Sequence, residues 1–223
     1  MDHTSTSEVS AQKAPRLLSA VPKKLILGFV AGAGRLSRLL VGLNISPNTV
    51  SVLGVLAGLG AGVLFALGHP VWGAVLIIIC GLFDIIDGQV ATRANKKSLY
   101  GAIFDSTLDR YSEFFIYLGL AVHFRNRWPL WILFFTFLGS TMVSYTRARA
   151  EGLGIQCPVG VMQRAERMIL LVLGALLGSL FRVFDQAMIA ILLVIAVLSN
   201  ITAFQRTLHV RKIEKQLKRE KEI

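Results

Sequence analysis

Residues 39–83, LLVGLNISPNTVSVLGVLAGLGAGVLFALGHPVWGAVLIIICGLF, contain no Asp, Glu, Lys or Arg. The stretch is 45 residues long, and one bilayer crossing takes about 20 apolar residues. It therefore holds two spans, 47–68 and 71–92, broken at Gly68-His69-Pro70. Backbone at this length in hydrocarbon must satisfy its own N–H and C=O groups, so the class is all-α. Working outward, a third span covers Ser98 to His123, polar at its start. A fourth begins over Pro129–Tyr145 and continues, polar, through Arg149. A fifth has Met168–Phe181 as its apolar part, with Arg164 and Arg167 in its first turns, and a sixth covers Gln186–Phe204.

The composition agrees. Apolar residues are 54% and charged residues 17% of the 223, where a soluble domain carries about 25% charge. An ordinary cytosolic enzyme and a largely disordered chain are both excluded. Cys80 and Cys157 cannot form a disulfide scaffold. The net charge of +11 fits anionic lipid headgroups and cytoplasmic loops rather than nucleic acid. With six spans both termini share a side. That side collects 21 of the 24 Lys and Arg; only Arg125, Arg127 and Arg182 fall opposite. Both termini are therefore expected in the cytoplasm, at the inner cell membrane.

Three flanking segments complete the organisation. Residues 1–21 are expected to be a disordered tail; residues 1–15 are polar and lack the apolar core of a signal peptide. Residues 22–43 mix Lys23, Lys24, Arg35 and Arg38 with Leu25, Ile26, Phe29, Val30, Leu36, Leu39 and Leu40. This predicts an amphipathic helix lying in the cytoplasmic interface, with a plain basic linker as the alternative. The membrane domain is expected over 22–210, followed by a basic, helical cytoplasmic extension over 211–223.

The acids carry the chemistry. Between Glu8 and Glu151 there are only five: Asp84, Asp87, Asp105, Asp109 and Glu113, all at the cytoplasmic ends of spans two and three. Asp84 and Asp87 are i,i+3; Asp105 and Asp109 are i,i+4; each pair shares a helix face. The two helices are antiparallel across a short turn at Asn95–Lys97, so the pairs can face each other. An Asp deep in a span costs about 2.5–3.5 kcal/mol, less near the interface, and four carboxylates together repel unless a cation offsets them. Oxygen-only donors suit Mg²⁺, Mn²⁺ or Ca²⁺ rather than zinc. Two bridged metals make a phosphoryl-transfer device. Helix-end pairing with Arg93, Lys96, Lys97 or Arg110 is the structural alternative, and it explains one acid better than four. Gly88, Ala91 and Gly101 allow either tight helix packing or close approach of a ligand.

The run Asp84-Ile-Ile-Asp87-Gly88-Gln-Val-Ala91-Thr92-Arg93, followed by Gly101-Ala-Ile-Phe-Asp105-Ser-Thr-Leu-Asp109, resembles the signature of the CDP-alcohol phosphotransferases. Every fixed position matches but one, with the spacing intact, and the resemblance covers residues 22–210. It implies that Asp84, Asp87, Asp105 and Asp109 hold two divalent cations, Mg²⁺ or Mn²⁺, and that Asp109 is also the base for the acceptor hydroxyl. It implies that Gly88 and Ala91 line a CDP pocket, with Pro47, Asn48, Thr49 and Val50 at its cytidine or diphosphate end. Ser98 would contact the nucleotide or cap its helix. The departure is Thr92 where the family has arginine; Arg93 would swing in, or Thr92 would make a weaker contact.

The resemblance further implies a homodimer. Span one shows Gly54, Gly58 and Gly62 every four residues, a packing stripe that serves either this chain or a second copy.

The second half suggests the acceptor. Ser144-Tyr145-Thr146-Arg147-Ala148-Arg149-Ala150-Glu151-Gly152, Gln163-Arg164-Ala165-Glu166-Arg167 and Arg206 bring arginines to three helix ends. Such a cluster suits an acceptor carrying its own phosphate. Positive-inside charge paired with Glu151 and Glu166 is the alternative. The pattern resembles the family branch that transfers phosphatidyl or archaetidyl groups from CDP-diacylglycerol or CDP-archaeol to inositol phosphate. Arg147, Arg167 and Arg206, with Arg164 as a fourth, would then bind the acceptor phosphate. Glycerol phosphate is the rival acceptor. A cation carrier is the reading from another class; it expects acids at mid-bilayer, and none is there. A catalytically silent scaffold would not need the intact acid set.

Overall fold

The structure, a computed structural model, describes residues 23–221, with side chains over 31–219. The expected tail, 1–21, lies outside the described residues, as do the side chains of Lys23, Lys24, Leu25, Ile26, Phe29 and Val30.

Seven helices make up the described residues: α1 (Lys23–Gly42), α2 (Pro47–Ala66), α3 (Pro70–Arg93), α4 (Leu99–His123), α5 (Pro129–Gly152), α6 (Arg164–Leu180) and α7 (Phe184–Lys221). Proline starts α2, α3 and α5, where its missing N–H costs nothing. Left-handed residues stop the chain just past the helix ends: Asn44, Asn95, Asn126 and Arg182, and Gly68 at φ 76°. The all-α expectation holds, and the helices follow the expected spans closely. The basic C-terminal stretch is not a separate element, because α7 continues unbroken to Lys221.

Four helices, α2, α3, α5 and α7, are long and apolar enough to cross a membrane. Among the described residues α4 and α6 fall short of that measure. α4 carries Asp105, Asp109, Arg110 and Glu113, and α6 has only 17 residues and opens on Arg164. A large exposed apolar surface, including Leu56, Trp72, Trp131, Phe134 and Phe204, fits a lipid-facing exterior.

The main core joins α2 to α7 through Phe65, Ile77, Ile116, Leu120, Leu171 and Leu192, all buried. A second core seats α1 on α2 and α3: Ala33, Val50, Ile86 and Val90 are fully buried, with Leu36 and Leu40 packed against them. The helix expected over 22–43 is thus present, and part of its apolar face is used on the bundle.

The glycine stripe is used inside the chain. A Cβ on Gly58 would stand 2.8 Å from Ser112 Cβ, one on Gly62 2.2 Å from the Phe115 carbonyl oxygen, and one on Gly119 1.9 Å from the Gly62 oxygen. α2 and α4 therefore touch backbone to backbone, the close approach that small residues permit. This seam brings the first turns of α4 beside α2 and sets the depth of its acids.

Candidate active site

The four aspartates line one small cavity, about 10 Å³, where the C-terminal part of α3 meets the N-terminal part of α4, with Ser51 and Gly54 of α2 as its floor. Carboxylate oxygens of Asp84, Asp105 and Asp109 lie within 4.8 Å of one another. Asp87 is 5% exposed and accepts a 2.7 Å hydrogen bond from Ser51 Oγ. The helical spacing works as expected: each pair projects from one face, and the α3–α4 turn sets them opposite.

The alternative pairing, with Arg93, Lys96, Lys97 or Arg110, does not occur among the described residues. The partner is Arg164, from the first turn of α6. Its Nη1 lies 3.0 Å from Asp84 Oδ2 and 2.9 Å from Asp109 Oδ1, and its Nη2 donates to Ser112 Oγ at 3.0 Å. Local chemistry puts it there. Thr202 Oγ1 of α7 accepts the N–H groups of Val161 and Met162, holding the loop before α6. Glu166 Oε2 accepts the Gln163 N–H, a capping contact that fixes the first turn.

One turn deeper, Glu113 and Arg167 form a bidentate pair, 2.6 and 2.7 Å. Both are buried, Arg167 completely. Tyr117 donates to Glu113 Oε1 at 3.1 Å and shares a hydrogen bond with Ser140. A buried pair broken on one side leaves an uncompensated charge, costing about 3–5 kcal/mol. Arg167→Met should therefore lower the thermal stability of the purified protein sharply. Adding Glu113→Leu should restore most of the loss, and an additive loss in the double variant would show that the pair is not the cause.

The four expected acceptor arginines do not form one free cradle. Arg164 sits in the aspartate cavity and Arg167 faces Glu113. Arg147 pairs with Glu151 at 2.8 Å. Arg206 donates to the backbone oxygens of Val159 and Val143. They are still neighbours: the charges of Arg147 and Arg167 act on Arg206, and that of Arg164 acts on Arg167.

At the nucleotide end the placements differ. Pro47 opens α2 and Thr49 is exposed. Asn48 Oδ1 lies 3.7 Å from where a Gly101 Cβ would stand, so the starts of α2 and α4 adjoin. Gly88 is exposed, with open space where a Cβ would stand, and Ala91 is half-buried. Val50 is a correction: one step round the helix from Thr49, it is fully buried in the α1 seam, where its side chain cannot reach a nucleotide. Arg93 does not swing into the cavity; its Nη1 donates to the Gly34 oxygen of α1 at 3.1 Å. Thr92 donates to the Gly88 oxygen of its own helix. Ser98 caps α4, accepting the Gly101 N–H at 2.9 Å. Ser51, Ser112 and the Glu113–Arg167 pair were not singled out from sequence. Glu113 did carry a signal, as the fifth acid, one turn beyond Asp109.

The donor set fits a divalent cation: carboxylate oxygens only, from three residues close enough together to reach one ion, and a fourth lining the same space. Fold and cavity together define a helical membrane protein with an acidic centre, able to hold a cation, at one end of its bundle. The chain belongs to the CDP-alcohol phosphatidyltransferase family, whose family model matches residues 44–202.

That match takes in all four aspartates and stops short of Arg206. The chain is 37% identical to the archaetidylinositol phosphate synthase of Methanothermobacter thermautotrophicus over 161 residues, 72% of this chain and 80% of that protein. It is 34% identical to the phosphatidylinositol phosphate synthase of Streptomyces avermitilis over 181 residues, 76% of this chain and 73% of that one. The crystal structure of the Mycobacterium tuberculosis phosphatidylinositol phosphate synthase with CDP-DAG bound superposes with a TM-score of 0.74 at 30% identity. That superposition covers 80% of this chain and 92% of the other. The same enzyme in complex with manganese and citrate gives a TM-score of 0.73, covering 80% and 88%.

Proposed function

We propose that this chain transfers a phosphatidyl or archaetidyl group from a CDP-linked lipid, CDP-diacylglycerol or CDP-archaeol, to a hydroxyl of inositol phosphate, releasing CMP. The observation that carries the proposal is the cavity in which four aspartates and Arg164 converge, in a family member whose similar relatives are named for that product. Asp84, Asp87, Asp105 and Asp109 would hold two divalent cations, Mg²⁺ or Mn²⁺. When bound, these ions supply charge neutralisation for the diphosphate and the leaving CMP.

The chain's own groups do the rest. Asp109 accepts the proton of the acceptor hydroxyl. The hydroxyl oxygen forms a bond to the lipid-side phosphorus as the bond to the CMP oxygen breaks. The CDP moiety lies toward Pro47, Asn48 and Thr49 and over Gly88 and Ala91, where small residues leave room. Ser98 serves there as the α4 cap beside Asn48. The acceptor phosphate is drawn toward Arg147, Arg164 and Arg206, with Arg164 nearest the carboxylates, while Arg167, held by Glu113, keeps α6 in place beneath them.

In this reading α2 to α7 make six spans, α1 lies in the cytoplasmic interface, and both termini face the cytoplasm of the inner cell membrane. The enzyme works as a homodimer whose seam is not the Gly54-Gly58-Gly62 stripe, since α3 covers Gly54 and α4 covers Gly58 and Gly62.

The test is CMP release by the purified protein with Mg²⁺ and a CDP-lipid. Inositol phosphate should support turnover at least about tenfold faster than glycerol 3-phosphate or free inositol. Chelation should abolish turnover, and Mg²⁺ or Mn²⁺ should restore it. Faster turnover with glycerol 3-phosphate would reassign the acceptor, and chelator-resistant turnover would remove the metals.

A further inference from the structure

α4 and α6 are joined by two ionic rungs one helical turn apart, and the rungs differ in kind. The inner rung, Glu113–Arg167, is a fully buried bidentate pair. The outer rung is shared. One Arg164 Nη1 serves both Asp84 and Asp109. Those three side chains remain 19%, 37% and 20% exposed respectively, and the Arg164 Nε is buried without a partner. The arginine is therefore incompletely bonded, and its long side chain springs from the first residue of α6.

The oxygens that Arg164 engages belong to two of the three carboxylates clustered within 4.8 Å. One set of oxygens thus has two claimants. A guanidinium brings a single charge spread over a planar fork. A divalent ion brings twice the charge at shorter oxygen distances. The two are like-charged, so they cannot share those oxygens without strong repulsion.

We propose that Arg164 is the internal counter-cation of the aspartate cluster, displaced from Asp84 and Asp109 when a divalent cation binds. This rests on the reading of the aspartates as a divalent site. Arg167 makes the exchange possible without unseating the helix, because the inner rung pins α6 while the outer arginine moves. The displaced guanidinium becomes a free two-pronged donor beside the cavity, ready for a phosphate oxygen. Cation loading therefore arms the site for its anionic substrates, and before loading the arginine offsets part of the carboxylate repulsion.

The experiment uses the full chain in detergent and needs no turnover. Phenylglyoxal labels accessible arginines, and peptide mass spectrometry reads each one; Mn²⁺ binding is followed by electron paramagnetic resonance. Adding Mg²⁺ should raise labelling of Arg164 several-fold, leave the buried Arg167 unlabelled and leave Arg147 unchanged. Arg164→Gln should bind Mn²⁺ roughly tenfold more tightly than the wild type. Arg110→Gln should change affinity by less than about threefold, since its charge acts on Asp105 and Asp109 without an ion pair to either among the described residues. Saturable Mn²⁺ binding with unchanged or reduced Arg164 labelling would overturn this proposal alone. No Mn²⁺ binding by the wild type would overturn the divalent site, and this proposal with it.

Discussion

Asp109→Asn should lower turnover by about 10³-fold or more while CDP-lipid binding stays measurable. The substitution keeps the shape of the side chain and removes both its negative charge and its capacity to take a proton. General-base catalysis alone supplies about 10²–10⁴-fold, and loss of a carboxylate beside Asp84 and Asp105 weakens the cation site as well. These two effects separate experimentally. If only cation affinity is lost, raising Mg²⁺ should restore the rate; if the base is lost, saturating Mg²⁺ should leave the defect in place. Losing the charge also frees Arg164 from one of its two carboxylates, so folding should be affected little. Wild-type turnover in the variant would remove Asp109 from the mechanism.

Gly119→Ala should damage the protein far more than its size suggests. Its Cβ would stand 1.9 Å from the Gly62 carbonyl oxygen and 2.4 Å from the Gly62 Cα. No rotamer relieves a clash with backbone, so α2 and α4 must part along their length. Overpacking of a core costs about 1–3 kcal/mol where side chains can yield, and here nothing yields, so at least about 3 kcal/mol is expected. The aspartate cavity, with its floor on α2 and two acids on α4, should open in step. The measurement is thermal unfolding of purified protein beside Mn²⁺ affinity. Gly32→Ala is the control, since a Cβ there meets nothing within 4 Å. Equal stability of the two variants would refute the tight seam.

Comparison of the acids with the arginines shows where sequence reading stopped. The aspartates were legible because their geometry is local: i,i+3 and i,i+4 spacing puts each pair on one face, and a short turn fixes the antiparallel partner. Arg164 was legible as a member of a cationic cluster, but not as the group bridging Asp84 and Asp109, 80 and 55 positions away in the chain. That contact depends on how α6 enters, which Thr202 of α7 and Gln163–Glu166 decide together. Arg93 shows the same limit from the other side. Beside the motif it reads as a phosphate ligand, yet α1 lies close enough to take it.

The order of charged and apolar residues determined, without any structure, that this is an all-helical membrane chain with its carboxylates at one end, because burial of backbone and charge in lipid leaves little choice. The spacing of the acids likewise pointed to a divalent-cation site, and the motif around them resembles the signature of the family that the family model then showed. Tertiary packing alone decided that the glycine stripe is filled from within, that Val50 belongs to the core, and that Arg164 rather than a neighbouring basic residue balances the aspartates. Those outcomes depend on helix crossings and depths. They are set by backbone-to-backbone fit among segments far apart in sequence, and no local periodicity encodes them.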